Sequence, residues 1–409
     1  KVLKMKIAHT FWNHPKKSLV GSVIAGYVGK WMYTKYTDYE FRLEKCRYVH
    51  SSGKERINQL QIPKRITLIL NPAAKHGKAM KLFEKNASPL LQLSGCEVNV
   101  IRLEYEGHAK ALMAELENGS TDMIVAAGGD GTVNEVVTGL LRRADHANWS
   151  KVPIGIIPLG NTNSICQRLS FSNSFNSQAK WILSSTCNVL SSNIRWVDAL
   201  EVKSELGKSA YVLTDMAWGS YRDTFVKESK YWYFGPIKTF MTHFFSLFKT
   251  DIRTPRLFQL AYNPPKPIPK DIEKKTEEAK LMAVNSLISK LLIIEVEEPL
   301  AEEKYDAPIE EYGSIEFMAS VNNHDPHDKR EKAGARIVIE SSDFNWLNFL
   351  REGPKRIVAG KPIPVKPETV IDCSEFQLVP LSSNESWFGM DNEKFEAFSC
   401  HATVIPNCL

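Results

Sequence analysis

A chain of 409 residues is too long for one small core and points to two domains with extensions. At 43% hydrophobic and 24% charged it has the composition of a folded globular protein, and 21 Pro with 22 Gly argue against a low-complexity chain. The net charge of +5 is a weak reason to propose nucleic acid as partner, and seven cysteines without a C-x-x-C pair argue against a zinc site or a disulfide framework.

The charge is uneven. Seven lysines (Lys1, Lys4, Lys6, Lys16, Lys17, Lys30, Lys35) precede the first acid, Asp38, and without them the chain stands at −2. Within this basic head, residues 18–29 read SLVGSVIAGYVG, which contains Tyr27 and is flanked by Lys and by Trp12, Trp31, Tyr33 and Tyr36. The uncharged stretch is shorter than the roughly 20 residues a membrane-spanning helix needs. Aromatic and basic flanks read as an interfacial anchor or targeting segment over 1–62; the plain alternative is a helix packed on the protein's own surface. The head is acid-poor but Lys-rich, a partial match to a mitochondrial import signal, and no small-residue cleavage site marks a secretory one.

Pro63 opens the first globular segment, expected over 63–192. RITLILNP (65–72), EVNVIRL (97–103), MIVAAGG (123–129) and IGIIPLG (154–160) read as strands. Helical spacing separates them over 78–93, 108–117 and 132–143, so a parallel sheet covered on both faces is predicted. After about residue 193 the pattern changes. WVDALEV, AYVLTDMAW, RLFQLAY, SIEFMAS, ARIVIES and CSEFQLVP are short strands without matching helices, which predicts an antiparallel sandwich-like domain over 193–409. Residues 231–248 form an aromatic-rich helical interruption; HFFSLF (243–248) reads as core packing or, more sharply, as lining for an acyl chain. Residues 264–308 read as an insertion, with an apolar island at 281–296 and charged flanks.

The strongest chemical signal is GGDGT (128–132), between a buried strand and an amphipathic helix. Its glycines let backbone approach a bulky anion and adopt positive φ, and a helix start at Thr132 offers unpaired N–H groups to phosphate. Asp130 repels phosphate unless Mg²⁺ or a proton intervenes, or else it acts on a hydroxyl. NPAAKHGKA (71–79) and PLGNTN (158–163) put two more small polar loops at strand ends, where open α/β sheets bind ligands. Neither GxxxxGK[ST] nor GxGxxG is present. The histidines show no metal-ligand spacing, and HDPH (324–327) reads as a solvated loop.

These three loops, in this order, resemble the catalytic domain of the diacylglycerol, sphingosine and ceramide lipid kinases; NAD kinases and phosphofructokinases share only GGDG. FEKNASPLLQLSG (83–95), YEGHAK, EVVTGLLRR and SKYWYFGPIK (229–238) resemble its mitochondrial acylglycerol kinase branch in particular. The resemblance implies an α/β, NAD-kinase/diacylglycerol-kinase-like first domain and a β-sandwich-like lipid-substrate domain. It implies an enzyme moving the ATP γ-phosphate, with Mg²⁺, to the hydroxyl of mono- or diacylglycerol. It places Asn71, Gly128, Gly129, Gly131, Thr132, Gly160, Asn161 and Thr162 around the nucleotide. AWGSYRD (217–223) is similar to the sphingosine kinase pattern in which the final acid, here Asp223, contacts the lipid headgroup. MDNEKFEAF (390–398), in a return segment 390–409, resembles the family's D-G-E motif with Asn392 in place of Gly. Asp130, Asp391 and Glu393 are the expected catalytic acids, with Asp130 and Glu393 as metal ligands; which of them is the base stays open. Expected partners are acylglycerol lipids and a membrane surface. The branch's link to the mitochondrial inner-membrane carrier translocase implies a second, scaffold reading on the intermembrane-space side.

Overall fold

The computed structural model describes residues 15–58, 62–169, 177–191, 194–205, 207, 209–267, 309–321, 323, 332–359, 367–381 and 386–408. The apolar island at 281–296, the HDPH stretch and residues 1–14 lie outside them.

The first domain is built on four parallel strands: β1 (Arg65–Leu70), β2 (Glu97–Arg102), β3 (Met123–Gly128) and β4 (Ile154–Pro158), in the order β2-β1-β3-β4. The central strand β3 is buried along its whole length, and its unbroken apolar run follows from cover on both faces. β2 lies at an edge, and its polar alternation leaves Glu97, Asn99, Val100 and Arg102 exposed.

A long helix α1 (Pro15–Asn58), a broken helical run over 74–93 that ends in α2 (Ser88–Leu93), and a later helix Gln178–Leu190 cover one face. There Val49, Phe83, Leu90 and Ile182 meet Leu68, Leu70 and Val125. The run over 78–93 expected as one helix is interrupted by a π turn, Phe83–Ala87, because Pro89 cannot donate the next helical hydrogen bond. Helices α3 (His108–Glu115) and α4 (Asp130–Leu141) cover the other face, with Met113, Val133, Val136 and Val137 against Ile69, Ile124 and Ala126. A short α5 (Ser164–Leu169) and α6, the Gln178–Leu190 helix, complete the domain.

Helix α1 behaves as two halves. Residues 19–33 are exposed all round, whereas Asp38 and Val49 are buried and Arg42 donates to Asn86 Oδ1 at 2.9 Å. A Cβ on Gly53 would lie 2.3 Å from the Leu93 carbonyl, so the helix end lies flat on α2. The plain reading of the head therefore holds for the second half of α1, and the anchor reading rests on the first. No helix among the described residues is long and apolar enough to cross a membrane.

The second domain contains β5 (Ala199–Ser204), β6 (Ser209–Val212), β7 (Asp215–Gly219), β8 (Arg256–Asn263), β9 (Glu310–Ser314), β10 (Glu316–Val321), β11 (Ala335–Glu340), β12 (Pro367–Cys373), β13 (Glu375–Pro380), β14 (Trp387–Met390), β15 (Glu393–Glu396) and β16 (Cys400–Ile405). They form two six-stranded antiparallel sheets, β9-β8-β13-β16-β5-β6 and β12-β11-β10-β7-β14-β15. Trp218, Phe258, Phe317, Phe376 and Phe388 are buried between them, which is the sandwich the strand pattern predicted. Helices α7 (Ser220–Val226), α8 (Lys238–Ser246) and α9 (Trp346–Ala359) pack at one end.

Candidate active site

Because β1, β3 and β4 are neighbours and parallel, their carboxyl ends carry three loops to one place. The loops hold one another. Asn71 donates its backbone N–H to the Ala127 carbonyl at 3.0 Å and its Nδ2 to Thr132 Oγ1 at 3.0 Å. Gly128 O accepts from the N–H groups of Leu159 and Gly160 at 2.8 and 3.0 Å. A Cβ on Gly160 would stand 2.4 Å from Gly129 Cα, so the two loops touch backbone to backbone. Among the described residues the loop glycines 128, 129, 131 and 160 all avoid positive φ. Contrary to one part of the expectation, glycine is needed here for close approach alone.

Asn161 and Thr162 are exposed at the rim, and Asn161 Nδ2 lies 3.1 Å from His76 Nε2 across the opening. Lys75 and His76 themselves sit at φ 54°, in the left-handed region. Burial and the neighbouring Lys78 lower the Lys75 pKa. Sequence reasoning singled out only Asn71 in this loop, which also carries Lys75 and Lys78 on either side of His76 and Gly77.

The helix starts at Asp130, two residues earlier than expected. The Asp130 side chain is 2% exposed and accepts from Ser164 N and Oγ at 3.0 and 2.9 Å and from Ile165 N at 3.0 Å. Its carboxylate thus satisfies the open N–H groups at the start of α5.

The second domain reaches into this cleft with one hairpin, β14–β15. Its turn residues Asp391 and Asn392 have φ 49° and 69°, the two left-handed residues of a type I′ turn, and Asn tolerates that geometry. The turn carries Glu393 against Gly131, where a Cβ on that glycine would come 2.8 Å from Glu393 Oε1. Asn392 Nδ2 donates to Ser164 Oγ at 2.9 Å, extending a chain Asn392–Ser164–Asp130 across the two domains. Asp391 is buried and accepts from Leu213 N, Thr214 N and Thr214 Oγ1 at 2.7, 2.8 and 2.5 Å. Burial outweighs these bonds and pushes its pKa up to about 7.

AWGSYRD supports the same hairpin from behind. Arg222 Nη2 donates to the carbonyls of Asn392 and Glu393 at 3.1 and 2.9 Å. Asp223, 3% exposed, takes Arg256 Nη2 at 2.6 Å and the Trp387 N–H at 3.2 Å. Burial raises its pKa and Arg256 opposes the rise. Asp130, Asp391 and Asp223 therefore stand in surroundings the sequence did not suggest: each is buried with its oxygens committed to protein donors. Glu393 differs. Among the described residues its carboxylate accepts no hydrogen bond, and desolvation followed by Asp130 raises its pKa, with Arg222 working the other way. Arg222 and Ser164 were missed; Arg222 sits inside a quoted motif, whereas nothing local marks Ser164. An ion pair, Arg168–Asp215 at 2.7 Å, also crosses from α5 to β7.

A parallel sheet with three touching polar loops, closed by a β-sandwich that returns one acid to the glycine loop, defines a two-domain kinase of the diacylglycerol kinase type. Residues 65–193 match the diacylglycerol kinase catalytic domain family, and residues 213–409 match the acylglycerol kinase C-terminal family. The chain is 34% identical to the mitochondrial acylglycerol kinase of Xenopus laevis over 99% of its length and 94% of that protein's. It is 33% identical to the Homo sapiens protein of the same name, over 98% and 94%. Sphingosine kinase 1 of Rattus norvegicus is 28% identical over 49% of this chain and 52% of that one. In fold, the chain resembles a solved Bacillus anthracis str. Sterne protein described as a diacylglycerol kinase, with a TM-score of 0.51 at 14% identity, covering 85% of this chain and 96% of that one. The chain belongs to the acylglycerol kinase family and is a lipid kinase, with ATP as the co-substrate the family implies.

Proposed function

We propose that the chain transfers the γ-phosphate of ATP to the hydroxyl of a mono- or diacylglycerol, giving lysophosphatidic or phosphatidic acid. The observation that carries this reading is Glu393, whose carboxylate accepts no hydrogen bond among the described residues and rests on Gly131 of the phosphate-side loop. Phosphoryl transfer needs positioning, charge neutralisation and a group to orient or deprotonate the hydroxyl. The loops at Asn71, Gly128–Thr132 and Gly160–Thr162 cradle the nucleotide, Lys75 and Lys78 neutralise phosphate charge, and Glu393 meets the hydroxyl or the metal. Asp130, Asp391 and Asp223 act one step back, fixing α5 and the hairpin that aim Glu393.

Among the described residues no three His, Cys, Asp or Glu side chains converge as a metal cage. Mg²⁺ needs no such cage, since it binds through one or two carboxylates together with substrate phosphates. Glu393 fits that donor set; when bound, the ion supplies charge neutralisation on the transferring phosphate.

The test uses purified full-length chain, labelled ATP, Mg²⁺ and a panel of dispersed lipids. Acylglycerol should gain label, and Glu393→Gln should lower kcat about 10²–10⁴-fold with its melting curve unchanged. Labelling of ceramide or NAD in place of acylglycerol would overturn the substrate assignment.

We place the protein at the mitochondrial inner membrane, facing the intermembrane space, supported by its mitochondrial relatives and the exposed first half of α1. That projecting half also supports a second reading, a scaffold of the carrier translocase. Carrier import lost without the chain and restored by Glu393→Gln would establish the scaffold role; import unaffected by the chain's loss would remove it.

A further inference from the structure

We infer that the aromatic face of the second domain, from Trp232 to Phe248, is a membrane-docking surface that sinks into a phospholipid bilayer, separate from helix α1. Two observations carry it. The first is that α8 is built inside out. Its buried side chains are polar (Thr242, His243 and Ser246, at most 1% exposed), while Phe240 and Phe244 on the same helix, and Phe248 just beyond it, face solvent. Two of the buried polar atoms are satisfied within the helix, Thr242 Oγ1 donating to the Lys238 carbonyl at 2.7 Å and His243 Nδ1 to that of Thr239 at 2.8 Å, while His243 Nε2 is buried against Gly353 without a hydrogen bond among the described residues. The helix therefore folds against the domain without the rings of Phe240 and Phe244, which remain available for an apolar medium, while Phe245 is half-buried and stacks on Tyr231. HFFSLF thus divides: His243, Ser246 and Leu247 pack inward, in line with the core reading of the sequence, whereas Phe244 and Phe248 face solvent.

The second observation is continuity. Ring contacts run without a break through Trp232, Tyr233, Phe234, Phe245, Phe244 and Phe248, at centroid separations of 6.2, 4.7, 5.9, 5.6 and 5.5 Å. Trp232 and Phe248, at the two ends, are 75% and 72% exposed. Phe234 and Phe245 are half-buried and tie the exposed rings together, and a contiguous aromatic run exposed at both ends marks an interaction surface, not an ordinary scatter of apolar residues.

The occupant is argued from composition and charge. Exposed Lys230 and Lys249 stand at the two ends of the patch, beside Trp232 and Phe248. Aromatic rings flanked by lysines suit the headgroup region of a bilayer, with the rings at the acyl boundary and the ammonium groups on phosphate. α7, the helix of Arg222, leads directly through Glu228–Ile237 into α8, so docking there brings the cleft to the lipid plane.

The rate arm of the test rests on the acylglycerol reading; the binding arm does not. Full-length protein is mixed with phosphatidylcholine vesicles brominated on the acyl chains, and wild type is compared with Trp232→Phe. Docking predicts that bromolipid quenches a component of the emission that Trp232→Phe lacks. Trp232→Ser/Phe248→Ser, changed only at exposed positions, should lose about tenfold or more in rate on vesicle-borne acylglycerol. Its rate on a monomeric short-chain acylglycerol should stay within about twofold, because that substrate needs no interface. Unquenched Trp232, or an equal fall on both substrates, overturns the proposal. So does a concentration-dependent dimer that the double variant abolishes while the vesicle rate holds, since the occupant would then be a second copy. If wild type phosphorylates neither acylglycerol, the substrate reading fails and the quenching alone decides the docking face.

Discussion

At the residue scale, the acids of this protein divide by what their oxygens do. The carboxylates of Asp130, Asp391 and Asp223 each accept two or more hydrogen bonds from protein donors, and among the described residues that of Glu393 accepts none. Glu316 belongs to a further group, the acids kept by burial close to neutrality. It accepts the Tyr221 N–H at 3.0 Å and faces Arg356, Glu340, Asp223 and Arg222; burial pushes its pKa up to about 8 in spite of Arg356. The linkage sign follows from which state holds the proton. Between about 4.3, the pKa of an unfolded Glu, and 8, the folded chain keeps this proton and the unfolded chain has lost it. The contribution is thus fully present below the unfolded pKa and is lost as pH rises, by about 1.4 kcal/mol per unit. Asp391 adds the same sign up to about pH 7. Glu316→Gln fixes the neutral form, so urea midpoints should fall less steeply from pH 5 to pH 8 than in wild type. Parallel falls in the two proteins would show that Glu316 does not hold the proton.

At the scale of elements, the β14–β15 hairpin joins the two halves of the site. Its sequence departs from the family's D-G-E at Asn392, and the structure gives that side chain a partner: it donates to Ser164 Oγ, which donates to Asp130. Glycine would keep the type I′ turn and lose the tie. Asn392→Gly should therefore retain the melting temperature closely and lower kcat by about five- to tenfold, the worth of one hydrogen bond at the site. Asn392→Asp, which sets a carboxylate beside the Ser164–Asp130 pair, should lower it further. Steady-state kinetics with ATP and lipid varied in turn separate the two effects, and a wild-type rate in both variants would show that the tie does not aim Glu393. The same element explains why glycines dominate the opposing loops. Gly129 and Gly160 touch each other, and Gly131 makes room for Glu393.

At the scale of the whole molecule, the sequence by itself determined a good deal. Apolar runs ending in Gly, Asn and Pro determined four parallel strands and their loops, because strand period and turn chemistry are local properties. The change to short alternating strands near residue 193 determined the second, antiparallel domain, and the loop motifs determined the kinase class. Only the tertiary structure decided which acid stays open. Asp130 and Glu393 look alike as acids in quoted motifs, and the difference between them is made by Ser164, Ile165 and Gly131, residues distant in sequence from one or both of them. It also divided α1 into a docked half and a projecting half, since docking depends on Asn86 and Leu93 of another element. It turned Phe240 and Phe244 of α8 outward, too. Periodicity shows that a helix has an apolar face, but what lies against each face is set by neighbours far away in the chain, and burial and hydrogen-bond satisfaction follow from those neighbours.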